Sequence, residues 1–207
     1  MRNKEETKHK LIAAVAQIFR VEGYRGLGVN KVAKAAGVSK KLIYRYFGSF
    51  QELVEAYVVE TDYWMLLSAA LNQQPVPDNI EDFKNLIKGL MRNQFLQFQS
   101  EKEAQELLLW EINEDSALMQ SIHRMRESIG HKYFEATDAY FGDTPVPFRA
   151  VMALIVSGIW YMILHSRKNG TIMSDVDIGS ETGRQEIFSA IDLIIDLVFA
   201  MKKRSSI

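Results

Sequence analysis

The sequence predicts an all-α protein of about nine helices, three in a small basic N-terminal head and about six in a larger acidic body. Apolar residues recur at three- and four-residue spacing along almost the whole chain, and no segment shows the convincing two-residue alternation of a strand. Charge divides the chain as well: residues 1 to 50 hold 11 Lys or Arg against 3 acidic residues, and residues 51 to 207 hold 14 against 23. The overall net charge of −1 conceals that polarity. At 207 residues and 47% apolar, the chain is long enough to bury a sizeable core and too apolar to be disordered as its main state. A head over residues 1–48 and a body over 49–207 is the expected organisation.

In chain order, Lys8 to Glu22 carries Leu11, Ile12, Val15, Ile18 and Phe19 at helical spacing and stops at Gly23. Val29, Val32, Ala33 and Ala36 form the apolar stripe of a second helix, which Gly37 can end by taking a left-handed conformation. Ser39 suits the N-cap of a third helix. Stepping 100° per residue from there, Lys40, Lys41, Tyr44 and Arg45 share one arc of about 140°, while Leu42, Ile43, Tyr46 and Phe47 fill the other side. Two short helices joined by a glycine turn, with a basic and aromatic free face, match a helix-turn-helix that lays its second helix in the major groove of double-stranded DNA. A small helical hairpin with a solvated cationic face is the alternative. The segregated positive charge favours DNA, because a basic head neutralises phosphates and releases counterions.

Ser49 with Glu52 reads as a capping box opening a long helix to roughly Leu71. Pro75 and Pro77 interrupt the chain, and Asp78 is placed to cap a helix to about Gln99. Helices over Lys102 to Asn113 and Ser116 to Phe141 follow, then a linker from Gly142 to Pro147 and a helix from Phe148 to Arg167. Asn169 to Gly183 reads as the longest irregular loop, and Arg184 to Lys203 as the last helix.

Composition excludes several classes of function. With no cysteine, neither a disulfide framework nor a thiolate metal site is possible. The polar start MRNKEETKHK lacks the apolar core of a secretory signal. The best apolar stretch, Val151 to Leu164, is broken by Ser157 and Gly158 and reads as too short for a membrane span. A cytoplasmic protein without a membrane partner is expected. Glu111 or Glu106 with His123 could in principle act as a base and its orienting partner, and Glu127 lies four residues from His131, but no metalloprotease helix, phosphate loop or nucleophile elbow accompanies them. No catalytic residue, metal or cofactor is expected.

The segment Glu22 to Ala56, EGYRGLGVNKVAKAAGVSKKLIYRYFGSFQELVEA, carries in order Gly-Tyr, Val-Ala, Ala-Gly-Val-Ser, Ile-Tyr, Tyr-Phe and Glu-Leu. With this spacing and about nine helices, the chain resembles the TetR family of one-component transcriptional repressors. The resemblance implies that Lys40, Lys41, Tyr44 and Arg45 face the groove or the phosphates, that Tyr46 lies near the DNA backbone, and that Gly37, Val38, Leu42 and Phe47 are structural. Ser39 and Lys31 complete the expected DNA contacts. Two positions depart from the family pattern: Leu27 and Gly28 stand where a capping Thr or Ser is usual, and Phe50 where a phosphate-binding Lys is usual. Lys31, Lys34 and an N-terminal arm with Arg2, Lys4 and Lys8 are placed to compensate. These departures keep open an alternative, a TetR-like ligand-binding or protein-interaction module without specific operator recognition.

The resemblance further implies a homodimer joined by the last two helices, a palindromic operator, and a small-molecule effector that releases the protein from DNA. Ala153, Ser157, Trp160 and Tyr161 on the first of those helices, and Ile187, Ile191, Ile194 and Val198 on the second, are the expected interface, with ordinary core as the alternative. Trp64, Phe95, Phe98, Trp110 and His123 are the expected effector contacts. Arg92, Gln94 and Glu111 are further polar candidates in a body whose aromatic surface suits a lipophilic or aromatic ligand.

Overall fold

The fold is that of a computed structural model, described over residues 2–61, 77, 79–113, 117–142 and 144–204. Nine α-helices lie among the described residues: α1 (Arg2–Glu22), α2 (Val29–Ala35), α3 (Lys41–Phe47), α4 (Phe50–Thr61), α5 (Ile80–Ser100), α6 (Lys102–Asn113), α7 (Ala117–Phe141), α8 (Phe148–Asn169) and α9 (Glu181–Arg204). A 3₁₀ turn, Tyr24–Gly26, links α1 to α2, and a hairpin of β1 (Ile172–Met173) and β2 (Val176–Asp177) links α8 to α9. The all-α expectation holds.

Local differences from the expected elements have local causes. The first helix begins at Arg2, not Lys8, because ion pairs between Glu5 and Lys8 and between Glu6 and Lys10 suit a helical first turn. Asn79 caps α5, its side chain accepting from the Asp82 amide at 2.8 Å; Asp78 lies outside the described residues. Ser49 caps α4 by accepting from the Glu52 amide at 3.0 Å, and the described helix runs to Thr61, the rest of its expected course to Leu71 lying outside the described residues. The expected irregular loop holds an antiparallel hairpin instead, with Ile172 opposite Asp177 and Met173 opposite Val176. Its two turn residues, Ser174 and Asp175, have φ of 51° and 65°, as a type I′ turn requires. Neither is the glycine that advertises such a turn. Ser180 then accepts from the Gly183 amide at 3.0 Å, which starts α9 at Glu181 rather than Arg184.

Packing groups the chain into two compact units, Met1–Gln73 with Lys102–Ile129, and Gln74–Glu101 with Gly130–Ile207. In the first, Leu11, Val15, Ile18 and Phe19 of α1 bury against Val32 of α2, Ile43 of α3, Leu53 and Tyr57 of α4, and Leu107 and Trp110 of α6. The Phe19 ring lies 5.7 Å from Tyr57 and 6.1 Å from Trp110, and Tyr24 stacks on Trp110 at 5.3 Å, nearly parallel. Such aromatic pairs contribute roughly 0.5–1.5 kcal/mol beyond their buried area. Above them Glu103 receives Arg20 and, at 2.9 Å, the Tyr57 hydroxyl. Burial pushes the Tyr57 hydroxyl up to about 12. The head is thus built on α4 and α6 together.

In the second unit α5 packs on both α8 and α9. Phe95 meets Phe188 edge-on at 5.4 Å, Phe98 lies 6.4 Å from Trp160, and Phe141, Phe148 and Phe199 form a close trio. Arg92 pairs with Asp192, and Lys84 and Lys88 reach Asp196 at 3.3 and 2.7 Å. Exposed pairs of this kind add little stability each, but three cations at four-residue spacing against two carboxylates at the same spacing fix the register of α5 on α9.

Candidate nucleic-acid interface

The turn between α2 and α3 is a Schellman close. Gly37 takes φ 65°, the Val38 amide donates to the Ala33 carbonyl at 3.0 Å, and the Gly37 amide donates to Lys34 at 3.1 Å. A Cβ on Gly37 would meet nothing within 4 Å, so the left-handed backbone alone asks for glycine there. Ser39, the expected cap, sits one residue ahead of the observed one: the N-cap is Lys40, and the Ser39 hydroxyl accepts from the Lys41 amide at a long 3.4 Å. The Ser39 and Lys40 carbonyls close the first turn with the Leu42 and Ile43 amides, i to i+3, which shifts the boundary by one residue.

This close sets the facing of α3. Ile43 is fully buried in the head core, whereas Ser39, Lys40, Lys41, Tyr44 and Arg45 are exposed, Tyr44 to 51%. Tyr46 is half-buried, with the Lys4 ammonium and the Arg45 guanidinium each 5.9 Å from its ring centre. Lys8 lies 6.0 Å from the ring of Phe47. Cations of α1 and α3 therefore gather around the end of α3, and the residues expected as an N-terminal arm belong to a helix, with Lys4 and Lys8 held against α3. Lys31 is exposed but ion-paired with Glu22, so part of its charge is spent within the chain. Gly28 precedes α2 without any side-chain cap, and Phe50 is half-buried against the head core, which accounts for an apolar residue there.

The expected effector residues are distributed differently. Trp64 lies outside the described residues. Phe95 and Phe98 are buried in the second unit, Trp110 and His123 belong to the first, and Trp110 is held between Phe19 and Tyr24 as part of the head's support. His123 stands 3.2 Å from Glu111 on an open cleft of about 570 Å³ lined also by Ile112, Met119 and Arg124. His131 pairs with Glu135 at 3.3 Å rather than with Glu127. Gln94, one of the polar candidates, is 1% exposed in the second unit.

On the last two helices, Ala153, Ser157, Tyr161 and Ile194 are exposed, and Trp160 and Ile187 are half-buried. Ile191 and Val198, expected at the interface, are instead buried in the chain's own core, where α9 turns its Phe188, Ile191, Ile195 and Phe199 side inward. The outer side carries residues absent from the expected interface, Leu154 on α8 (75% exposed) and Leu193, Leu197 and Met201 on α9. Inner and outer sides of α9 both show helical apolar periodicity, so spacing alone does not distinguish them. The expectation of no sufficiently long apolar run also changes: α8, at 22 residues, is long and apolar enough to cross a membrane by length and composition, and 28% of its most apolar window is buried within the chain.

Comparison with known proteins points the same way as the head geometry. Residues 11–57 match the family described as bacterial regulatory proteins, tetR family. The HTH-type transcriptional regulator HbdR of Aromatoleum sp. (strain CIB) is 28% identical over 88 residues, 42% of this chain and 34% of that protein. The HTH-type transcriptional activator FasR of Mycolicibacterium smegmatis is 36% identical over 50 residues, 24% of this chain and 23% of that one. The chain thus spans about a third or less of the length of these relatives. Over the whole fold, a TetR family transcription regulator from Marinobacter aquaeolei VT8 superposes with a TM-score of 0.60 at 16% identity, covering 92% of this chain and 98% of that one. NalD, the secondary repressor of the MexAB-OprM multidrug efflux pump in Pseudomonas aeruginosa, superposes at 0.59 and 16% identity, covering 90% and 96%. Residues 11–57 thus carry the helix-turn-helix head of the tetR family, and over most of its length the chain shares the all-helical fold of the two TetR-type structures.

Proposed function

We propose that the protein represses transcription as a homodimer that binds a palindromic operator, with α3 of each copy in the major groove, and that a small lipophilic or aromatic effector releases it. The observation that carries this reading is the facing of α3: its core residue Ile43 is fully buried, and Lys40, Lys41, Tyr44 and Arg45 stand free on the opposite side. Lys reads guanine edges or holds phosphate, and a protruding Tyr reaches either.

The dimer reading rests on the exposed apolar side chains of α8 and α9, Leu154, Tyr161, Leu193, Ile194, Leu197 and Met201. A second copy related by a two-fold axis covers such a surface with the same residues, and a two-fold protein reads a two-fold site. It also supplies the cover that α8 lacks within one chain. An effector acts by binding one state of the dimer more tightly than the other. The Glu103 and Trp110 contacts give α6 a hold on α1 and on the turn before α2, so a shift of α4 or α6 moves α3. FasR carries the name of an activator and NalD that of a repressor; a reporter gene placed behind the selected operator tests the sign, with repression expected.

The uncapped start of α2 at Gly28 and the Lys31–Glu22 pair favour a second reading, a ligand-binding or interaction module without a specific operator. Selection of DNA fragments from random and genomic pools at near-physiological salt, followed by sequencing, separates the two. Enrichment of a palindrome is expected; no enrichment by folded protein would favour the module.

A further inference from the structure

We propose that Gln94 is the polar anchor of a binding site within the second compact unit, for an uncharged and mainly apolar small molecule carrying a carboxamide, lactam or similar adjacent N–H and C=O pair. The proposal rests on the effector-binding reading and names the chemistry of the effector.

Gln94 is 1% exposed, and neither Nε2 nor Oε1 has a hydrogen-bond partner. Its position on α5 is one that helical spacing assigns to the core, in line with the buried Ile87, Met91 and Phe98. A Met or Leu there would cost nothing in lost hydrogen bonds. An unpaired buried amide costs roughly 1–3 kcal/mol, so its presence in an apolar stripe asks for a partner from outside the chain. Other polar groups of the unit show the ordinary solution. Gln99, five residues on, donates to the Ile178 carbonyl at 2.9 Å, and buried Thr137 donates to the Phe134 carbonyl at 2.7 Å. Asp192 Oδ1 is the other unpaired buried atom among the described residues, but Oδ2 of the same carboxylate is held by Arg92, so its charge is met.

The class of ligand follows from the surroundings. A primary amide presents two donors and an acceptor side by side, and its planar complement is another amide, a lactam or a comparable neutral pair. The α5 cations Lys84, Lys88 and Arg92 are each engaged with Asp196 or Asp192, which leaves none of them to neutralise a carboxylate. Met91, Phe95 and Phe98 supply the soft and aromatic wall that such sites use for the rest of the molecule.

The probes are 2-naphthamide and its hydrocarbon isostere 2-isopropenylnaphthalene, titrated calorimetrically into the full-length wild-type protein and Gln94→Met, with melting temperatures of both proteins recorded unliganded. The amide is expected to bind wild type at least about tenfold more tightly than the hydrocarbon, a difference that one well-made buried hydrogen-bond pair supplies. Gln94→Met should erase that preference while melting at the same or a higher temperature. The proposal is overturned if wild type binds neither probe, if it shows no preference for the amide, if Gln94→Met keeps the preference, or if the variant melts well below wild type, since the amide would then serve the fold. Operator binding by unliganded wild type, measured alongside, reports separately on the regulator reading, which stands or falls without Gln94.

Discussion

The second helix of the helix-turn-helix, α3, and the final helix, α9, each leave one side exposed, and the two sides are opposite in chemistry. On α3 the uncovered residues are Lys41, Tyr44 and Arg45, with Lys40 at its cap; on α9 they are Leu193, Ile194, Leu197 and Met201. Cationic side chains are stable in water and gain only when a polyanion arrives. Exposed leucines lose roughly 25 cal/mol for every Å² left wet. A single chain is thus well solvated at α3 and leaves apolar surface wet at α9; in the proposed reading DNA covers the first and a second copy of the chain the second.

The largest expected effect comes from reversing the chemistry of α9. Leu197→Glu puts a charge at the proposed two-fold interface, once from each copy, and should weaken the dimer by about 3 kcal/mol or more. Sedimentation should show monomer at concentrations where wild type is dimeric, with helical content unchanged because Leu197 is 57% exposed in the single chain. A dimer that survives would move the interface elsewhere. Next in size, Lys41→Ala and Tyr44→Ala should each weaken operator binding by about 1–3 kcal/mol, read by fluorescence anisotropy, and leave the dimer folded. Unchanged affinity in both would mean that α3 presents another side.

The support beneath α3 gives a smaller and pH-dependent effect. Burial raises the Tyr57 hydroxyl to about 12 in the folded chain, against about 10 when unfolded. A group whose folded value is raised holds its proton longer when folded, so stability is intact below pH ~10 and falls as pH climbs toward ~12. Tyr57→Phe should flatten the fall in melting temperature over that window. The same slope in both proteins would show that ionisation of Tyr57 is not the cause. The smallest expected change belongs to Lys31→Ala. If Lys31 leaves Glu22 for a phosphate, the slope of log affinity against log salt drops by about 0.9; if the ion pair persists on DNA, the slope stays.

Much of this was legible from residue order. The three head helices, α6 to its end residues and the outward set on α3 follow from period, glycine placement and charge, because there local preference and tertiary packing agree. The misses occur where those two part. Ser174 and Asp175 form a hairpin turn without glycine, so nothing in the local sequence announces β1 and β2. Ile191 and Val198 follow the same spacing as Ile194 and Leu197, and only the position of α5 decides which side is core. Trp110 suits a pocket wall by composition, yet Phe19 and Tyr24 claim it across long sequence separations. The sequence offers Gln94 only as one polar candidate among several, because its burial and its lack of any partner are properties of the folded unit.

Native mass spectrometry of the protein on a DNA fragment recovered by selection tests the central contrast most directly, because it counts chains and DNA in one complex. Wild type should carry two chains per palindromic fragment, and Leu197→Glu should lose that complex. One chain on an asymmetric site, or an intact two-chain complex in the variant, would contradict the assignment of α9 to a second copy.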